Sequence, residues 1–141
     1  MLRTVALLTP PFASLTYAVP EWLAGFAWCP GLRVAVPLGR GMLRIGVVLG
    51  DGSPLPEGVT ARPMLWPLEK EPLLPCGHME MVRQLALRQA VTPGQILAMV
   101  LPAGLRVTQM RLRTMEAQGK AQIRLLKDLP KLPVEVLAAL G

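Results

Sequence analysis

The stretch RVAVPLGRGMLRIGVVLG, residues 33–50, sets two aliphatic runs on either side of a knot of glycine and arginine. In LRVAVPL, Leu32, Val34 and Val36 alternate with Arg33 and Ala35, the period of two that a strand with one buried face displays. Pro37 has no N–H to give a sheet ladder, so this strand should end at an edge or a bulge. The run LRIGVVLG then returns as a second strand, which leaves Leu38 to Met42 as the hairpin loop. Gly39, Arg40 and Gly41 at its tip are either punctuation or a place where backbone N–H groups and cations meet an anion.

Upstream, TVALL (residues 4–8) and LTYAV (residues 15–19) read as two more strands, bounded by Pro10, Pro11 and Pro20. Downstream, DGSPLPEG (residues 51–58) is a loop on every local signal. A further extended segment spans about Thr60 to Leu68, and Pro63 and Pro67 place it at an edge. The period then changes: Met79, Val82, Leu85 and Ala86, within Gly77 to Ala90, recur at spacings of three and four, one face of a helix. Thr92-Pro93-Gly94-Gln95 is a capping-box signature that opens a second, short helix. It runs to about Val100 and stops before Pro102, with Gly104 marking a turn. Thr114 to Asp128 has the pattern of an amphipathic helix, with Met115, Ile123 and Leu126 on one face. Gly119 weakens it by about 1 kcal/mol relative to alanine. The expected class is α+β: a small twisted β-sheet or partly open β-barrel of short strands, two short helices, and a helical C-terminal appendage.

At 141 residues the chain has room for one compact domain, alone or with an appendage. Apolar residues form 52% of it and charged residues 17%, which excludes a disordered chain, while 15 prolines and 13 glycines imply many loops. The formal net charge of +6 points to an anionic partner, of which nucleic acid is the commonest. Lys+Arg minus Asp+Glu is +3 over residues 1–50, −3 over 51–80, +2 over 81–105 and +4 over 106–141. A basic surface should therefore come from the first third and the tail. No run approaches the ~20 apolar residues of a membrane span, and Pro10 and Pro11 interrupt the N-terminal apolar run before a signal-peptide core is complete. A cytoplasmic, reduced protein is the expectation, with Cys29 and Cys76 as unpaired thiols.

Catalytic readings find little support. There is no phosphate-binding G-x-x-x-x-G-K-[ST] loop, no G-x-S-x-G elbow and no Glu-x-x-His pair. His78, two residues after Cys76, is the only histidine, and a zinc site needs three or four ligands. An exposed histidine at a helix N-terminus is the plainer reading. The methionines Met79, Met81 and Met99 read as core filler. Trp22, Trp28 and Trp66 can stack on bases, but their apolar surroundings favour burial. No metal site and no cofactor are expected in this chain.

Five segments, in this order, resemble a known family: LTYAVPE (residues 15–21), PGLRVAVPLGR (30–40), RIGVVLG (44–50), ARPMLWPLEKEPLLP (61–75) and TPGQILAMVLPAGLR (92–106). The family is the N-terminal 3′-end DNA-binding domain of primosomal protein N′, PriA, a replication-restart helicase. The resemblance covers about residues 4–106 and implies a small pocket that holds the terminal base and free hydroxyl of a strand at a fork. Carried over residue by residue, the pocket's aromatic position falls on Leu15 and its neighbour, often Asp, on Thr16. The turn glycine falls on Gly39, and a basic residue before a proline on Arg62. Independently of the resemblance, Gly39, Arg40, Gly41 and Arg44 put glycine and cations for the adjacent phosphates into one short hairpin. Two departures stand out: Leu15 replaces the usual Phe, and Ala13 stands where arginine is usual. Leucine gives apolar contact without the aromatic stacking worth ~1–3 kcal/mol per base.

The resemblance further implies that residues 1–105 form the 3′-end-binding domain and that the basic tail, residues 106–141, begins a winged-helix domain. The rest of the family's machinery, with its ATP, Mg and zinc, would lie in parts of a parent protein outside this chain. The expected role is a non-catalytic DNA-binding module of an ATP-dependent restart helicase, with other primosome proteins as further partners and self-association through the tail. The rival is a protein-interaction module, whose cue is the apolar run WLAGFAW, residues 22–28, together with the apolar tail.

Overall fold

A computed structural model describes residues 1–40 and 43–106. The chain runs β1 (Leu2–Leu7), β2 (Ser14–Ala18), a 3₁₀ turn (Glu21–Leu23), β3 (Arg33–Pro37), β4 (Leu43–Asp51), β5 (Trp66–Pro67), then α1 (Cys76–Gln89), α2 (Pro93–Val100) and α3 (Ala103–Arg106). The hairpin of residues 33–50 is the middle of the sheet. β3 and β4 pair antiparallel with Pro37 opposite Leu43, so the connection spans residues 38–42, as the spacing predicts. β1 pairs antiparallel on both sides, with β2 and with β4, and the order is β2-β1-β4-β3-β5. This is an α+β fold with an antiparallel five-stranded sheet.

β3 departs from the expected pattern. Val34, Ala35 and Val36 are all 0% exposed, so both faces of the strand are covered. It is an inner strand, flanked by β4 and β5, and the small apolar Ala35 is buried as completely as its valine neighbours. Pro37 is tolerated because the two residues of β5 pair only with Val34 and Ala35, short of the end of β3.

The segment expected to be extended over residues 60–68 is strand only at Trp66–Pro67, yet it does more than line one edge. The Ala18 N–H donates to the Arg62 carbonyl and the Met64 N–H to the Ala18 carbonyl, both at 2.9 Å, forming a parallel bridge between Ala18 and Pro63. The Leu65 and Leu68 N–H groups then donate to the Ala35 and Arg33 carbonyls, also at 2.9 Å. One short segment thus bonds to β2 at one side of the sheet and β3 at the other, and it curls the sheet towards a barrel.

Helices α1 and α2 cover part of the sheet. Met79, Val82 and Ala86 of α1 are buried, on the face that their spacing marks out. The Thr92 side chain accepts from the Gln95 N–H and the Gln95 side chain accepts from the Thr92 N–H, the reciprocal bonds of a capping box. Gly94 lets α2 lie against the sheet: a Cβ there would fall 2.3 Å from the Leu7 carbonyl oxygen and 2.8 Å from that of Phe12. Gly104 sits inside the single helical turn of α3 rather than in a reversal, with the Leu105 N–H donating to the Pro102 carbonyl.

The run WLAGFAW is not an apolar surface. Leu23, Phe26 and Trp28 are buried, and of the large side chains only Trp22, 41% exposed, faces outwards, beside the small exposed residues Ala24, Gly25 and Ala27. The 3₁₀ turn folds the run back on itself, Phe26 and Trp28 meet edge to face at 4.9 Å, and the Trp28 indole donates to the Leu23 carbonyl. Trp66 is buried as well. The amphipathic segment 114–128 lies outside the described residues.

Candidate functional site

The sheet does not close along the whole of β2. The edge is capped at Ala18 by residues 62–64, but from Ser14 to Tyr17 a pocket of about 430 Å³ opens beside the strand. That volume lies within the ~300–1,000 Å³ typical of small-ligand sites. Three segments wall it: Ser14 to Tyr17 of β2, Pro37 to Gly39 at the end of β3, and Leu55 with Val59 to Arg62 of the long β4–β5 loop.

Two side chains hold the walls together. Tyr17 is 3% exposed, and its hydroxyl donates to the Pro37 carbonyl at 2.9 Å. The Arg62 guanidinium donates through Nη1 to the Gly39 carbonyl at 2.7 Å. The hairpin is therefore fastened on either side of Leu38, once to β2 and once to the loop. Burial pushes the Tyr17 phenol above its ordinary pKa of 10.0, and the positive charge of Arg62 opposes that shift. Gly39 has φ +64° with open space where a Cβ would stand, so backbone conformation rather than crowding calls for glycine. Gly52 is the reverse case, because a Cβ there would lie 2.7 Å from Leu2 Cβ and 2.9 Å from Thr16 Cγ2.

The backbone of β2 contributes too. Both peptide groups of Ala18 point away from β1, towards residues 62–64. In an antiparallel pair this direction alternates along the strand. Thr16, two residues earlier, therefore turns its own N–H and C=O towards the pocket.

Four of the six residues singled out in the sequence line this pocket: Leu15, Thr16, Gly39 and Arg62. Arg40 is exposed on the adjoining loop and does not line it. Arg44 is half-buried on β4, with Nη1 donating to the Leu43 carbonyl, also outside the lining. Arg3 is paired with Asp51 and Arg33 with Glu69, and Arg33 also donates to the Leu105 carbonyl at 2.7 Å. These two arginines of the first third are thus committed to structure, while the cation at the pocket comes from the net-acidic middle of the chain. Tyr17 is the wall residue that the residue-by-residue reading passed over; it stands next to Thr16 in the quoted LTYAV segment. His78, Cys29 and Cys76 are all exposed.

A smaller cavity of about 230 Å³ lies elsewhere, between Pro30, Leu49, Pro93 and the start of α1. Its lining is mainly apolar, and its two charged members, Glu80 and Arg83, pair with each other at 2.6 Å.

The site is thus a pocket of small-ligand size in a small α+β domain, walled by a strand edge, a glycine turn and an arginine. A family model, the 3′ DNA-binding domain of PriA, matches residues 4–102. The chain belongs to that family. No curated protein matches it.

Proposed function

We propose that the pocket beside β2 holds the 3′-terminal nucleotide of a DNA strand at a stalled replication fork. In this reading the module serves an ATP-dependent restart helicase and carries no catalytic centre or cofactor of its own. Leu15 gives an apolar wall for the base, Thr16 hydrogen bonds to the terminal sugar, and Gly39 lets backbone approach closely. Arg62 orders the hairpin wall, while Arg40 and Arg44 meet phosphates further along the strand. The reading rests on one observation: Leu15, Thr16, Gly39 and Arg62, drawn from three separate segments, line one pocket. Residues 1–105 act as the binding unit, and the basic residues of 106–141 add affinity without adding end recognition.

The competing interaction-module reading drew on WLAGFAW and the apolar tail; burial of Leu23, Phe26 and Trp28 removes most of the first cue, and the tail lies outside the described residues. The test compares a linear single-stranded oligonucleotide with a covalently closed circle of the same sequence, both with an internal dye, by fluorescence anisotropy. The linear strand should bind more tightly. Equal affinity for the circle, which has no end, would refute end recognition.

A further inference from the structure

The polar chemistry of the pocket is one-sided. Among the described residues its lining holds one charged side chain, Arg62, and no carboxylate; the other polar side chains are the hydroxyls of Ser14, Thr16, Tyr17 and Thr60. Among the described residues Arg62 makes no ion pair. A guanidinium carries five N–H donors, and among the described residues this exposed side chain makes one hydrogen bond, through Nη1 to the Gly39 carbonyl. The Thr16 N–H is turned to the same side by the alternation of β2. Among the described residues the lining thus offers a cation and neutral donors, with no carboxylate to oppose an anion.

We infer that the pocket accepts a strand ending in a 3′-phosphate at least as well as one ending in a 3′-hydroxyl. This rests on the reading that the pocket holds the strand end. A terminal hydroxyl needs one donor or acceptor, which any of the lining hydroxyls or the Thr16 carbonyl supplies. A terminal phosphate carries about −1.5 to −2 charges at pH 7 and only accepts hydrogen bonds. It meets Arg62 in the charge-assisted geometry that favours guanidinium. Rejecting it by charge would take a repulsive group in the wall, and among the described residues the lining has none. The pocket therefore selects for a strand end and not for the chemistry of that end.

The full chain would be titrated, at one ionic strength, with three internally labelled single strands of the same sequence: a 3′-hydroxyl end, a 3′-phosphate end and a closed circle. The phosphate end should bind as tightly as the hydroxyl end or more tightly, and both more tightly than the circle. Arg62→Gln should weaken the phosphate end more than the hydroxyl end. Thr16→Asp, which installs a carboxylate in the wall, should weaken the phosphate end by about tenfold relative to the hydroxyl end, the order of one charged hydrogen bond. A hydroxyl end that binds the unaltered chain more tightly than the phosphate end overturns the inference and leaves end recognition standing. Equal binding of both ends and the circle overturns end recognition, and the inference with it.

Discussion

The phenol of Tyr17 joins two elements that no local pattern connects, the edge strand β2 and the end of β3, through its bond to the Pro37 carbonyl. It is also the only tyrosine in the chain, so tyrosinate absorbance on alkaline titration reports this one group. Burial disfavours the anion and Arg62 favours it, with burial the larger effect. The midpoint should therefore lie above 10.0 and move higher still in Arg62→Ala. The consequence for stability follows in sign. A group whose folded pKa exceeds its unfolded value stabilises fully below the unfolded pKa, and that contribution is lost as pH rises through the folded one. Urea midpoints should hold steady up to about pH 10 and fall beyond it, and Tyr17→Phe should abolish that component of the fall. An unshifted midpoint, insensitive to Arg62→Ala, would mean that Tyr17 does not sit between the two walls.

At the scale of elements, the placing of α2 on the sheet depends on Gly94. Its missing Cβ leaves room for the Leu7 and Phe12 carbonyl oxygens, so Gly94→Ala must push α2 off β1 or bend the loop after it. The expected loss is roughly 3 kcal/mol, the upper part of the range for overpacked sites, read as a drop in the urea midpoint at an unchanged m-value. A change within a few tenths of a kcal/mol would show that α2 is not seated on the sheet in this way. What the sequence disclosed follows from the same division between local and distant contacts. The hairpin over residues 33–50, the face of α1 and the capping box at Thr92 are local patterns, and each was legible. The covering of both faces of β3, the burial of WLAGFAW and the double attachment of residues 62–68 arise from contacts between distant segments, which periodicity does not carry. Leu15, Thr16, Gly39 and Arg62 could be named together only through the family resemblance, because β2 and the loop that carries Arg62 are joined through an isolated bridge between Ala18 and Pro63. Nothing in the residues between them signals it.

Over the whole molecule, the positive charge and the pocket are divided between different parts of the chain. Residues 1–105 contain eight Lys and Arg against six Asp and Glu, whereas residues 106–141 contain seven against three. Within the first part, Arg3, Arg33 and Arg83 are each paired with a carboxylate, so three of its eight cations are already committed. End recognition and salt-dependent affinity should therefore separate. Binding to single strands loses affinity with salt at a slope of roughly −0.7 per phosphate neutralised. A chain ending at Arg106 should bind linear strands and circles more weakly by a similar factor. Its salt slope should be shallower by roughly 2 if three cations of the tail contact phosphates, and its preference for the free end should persist. Anisotropy titrations of both chains over a series of salt concentrations measure slope and preference together. An unchanged slope would remove the tail from the DNA interface, and loss of the end preference would mean that the pocket needs residues beyond Arg106 to work.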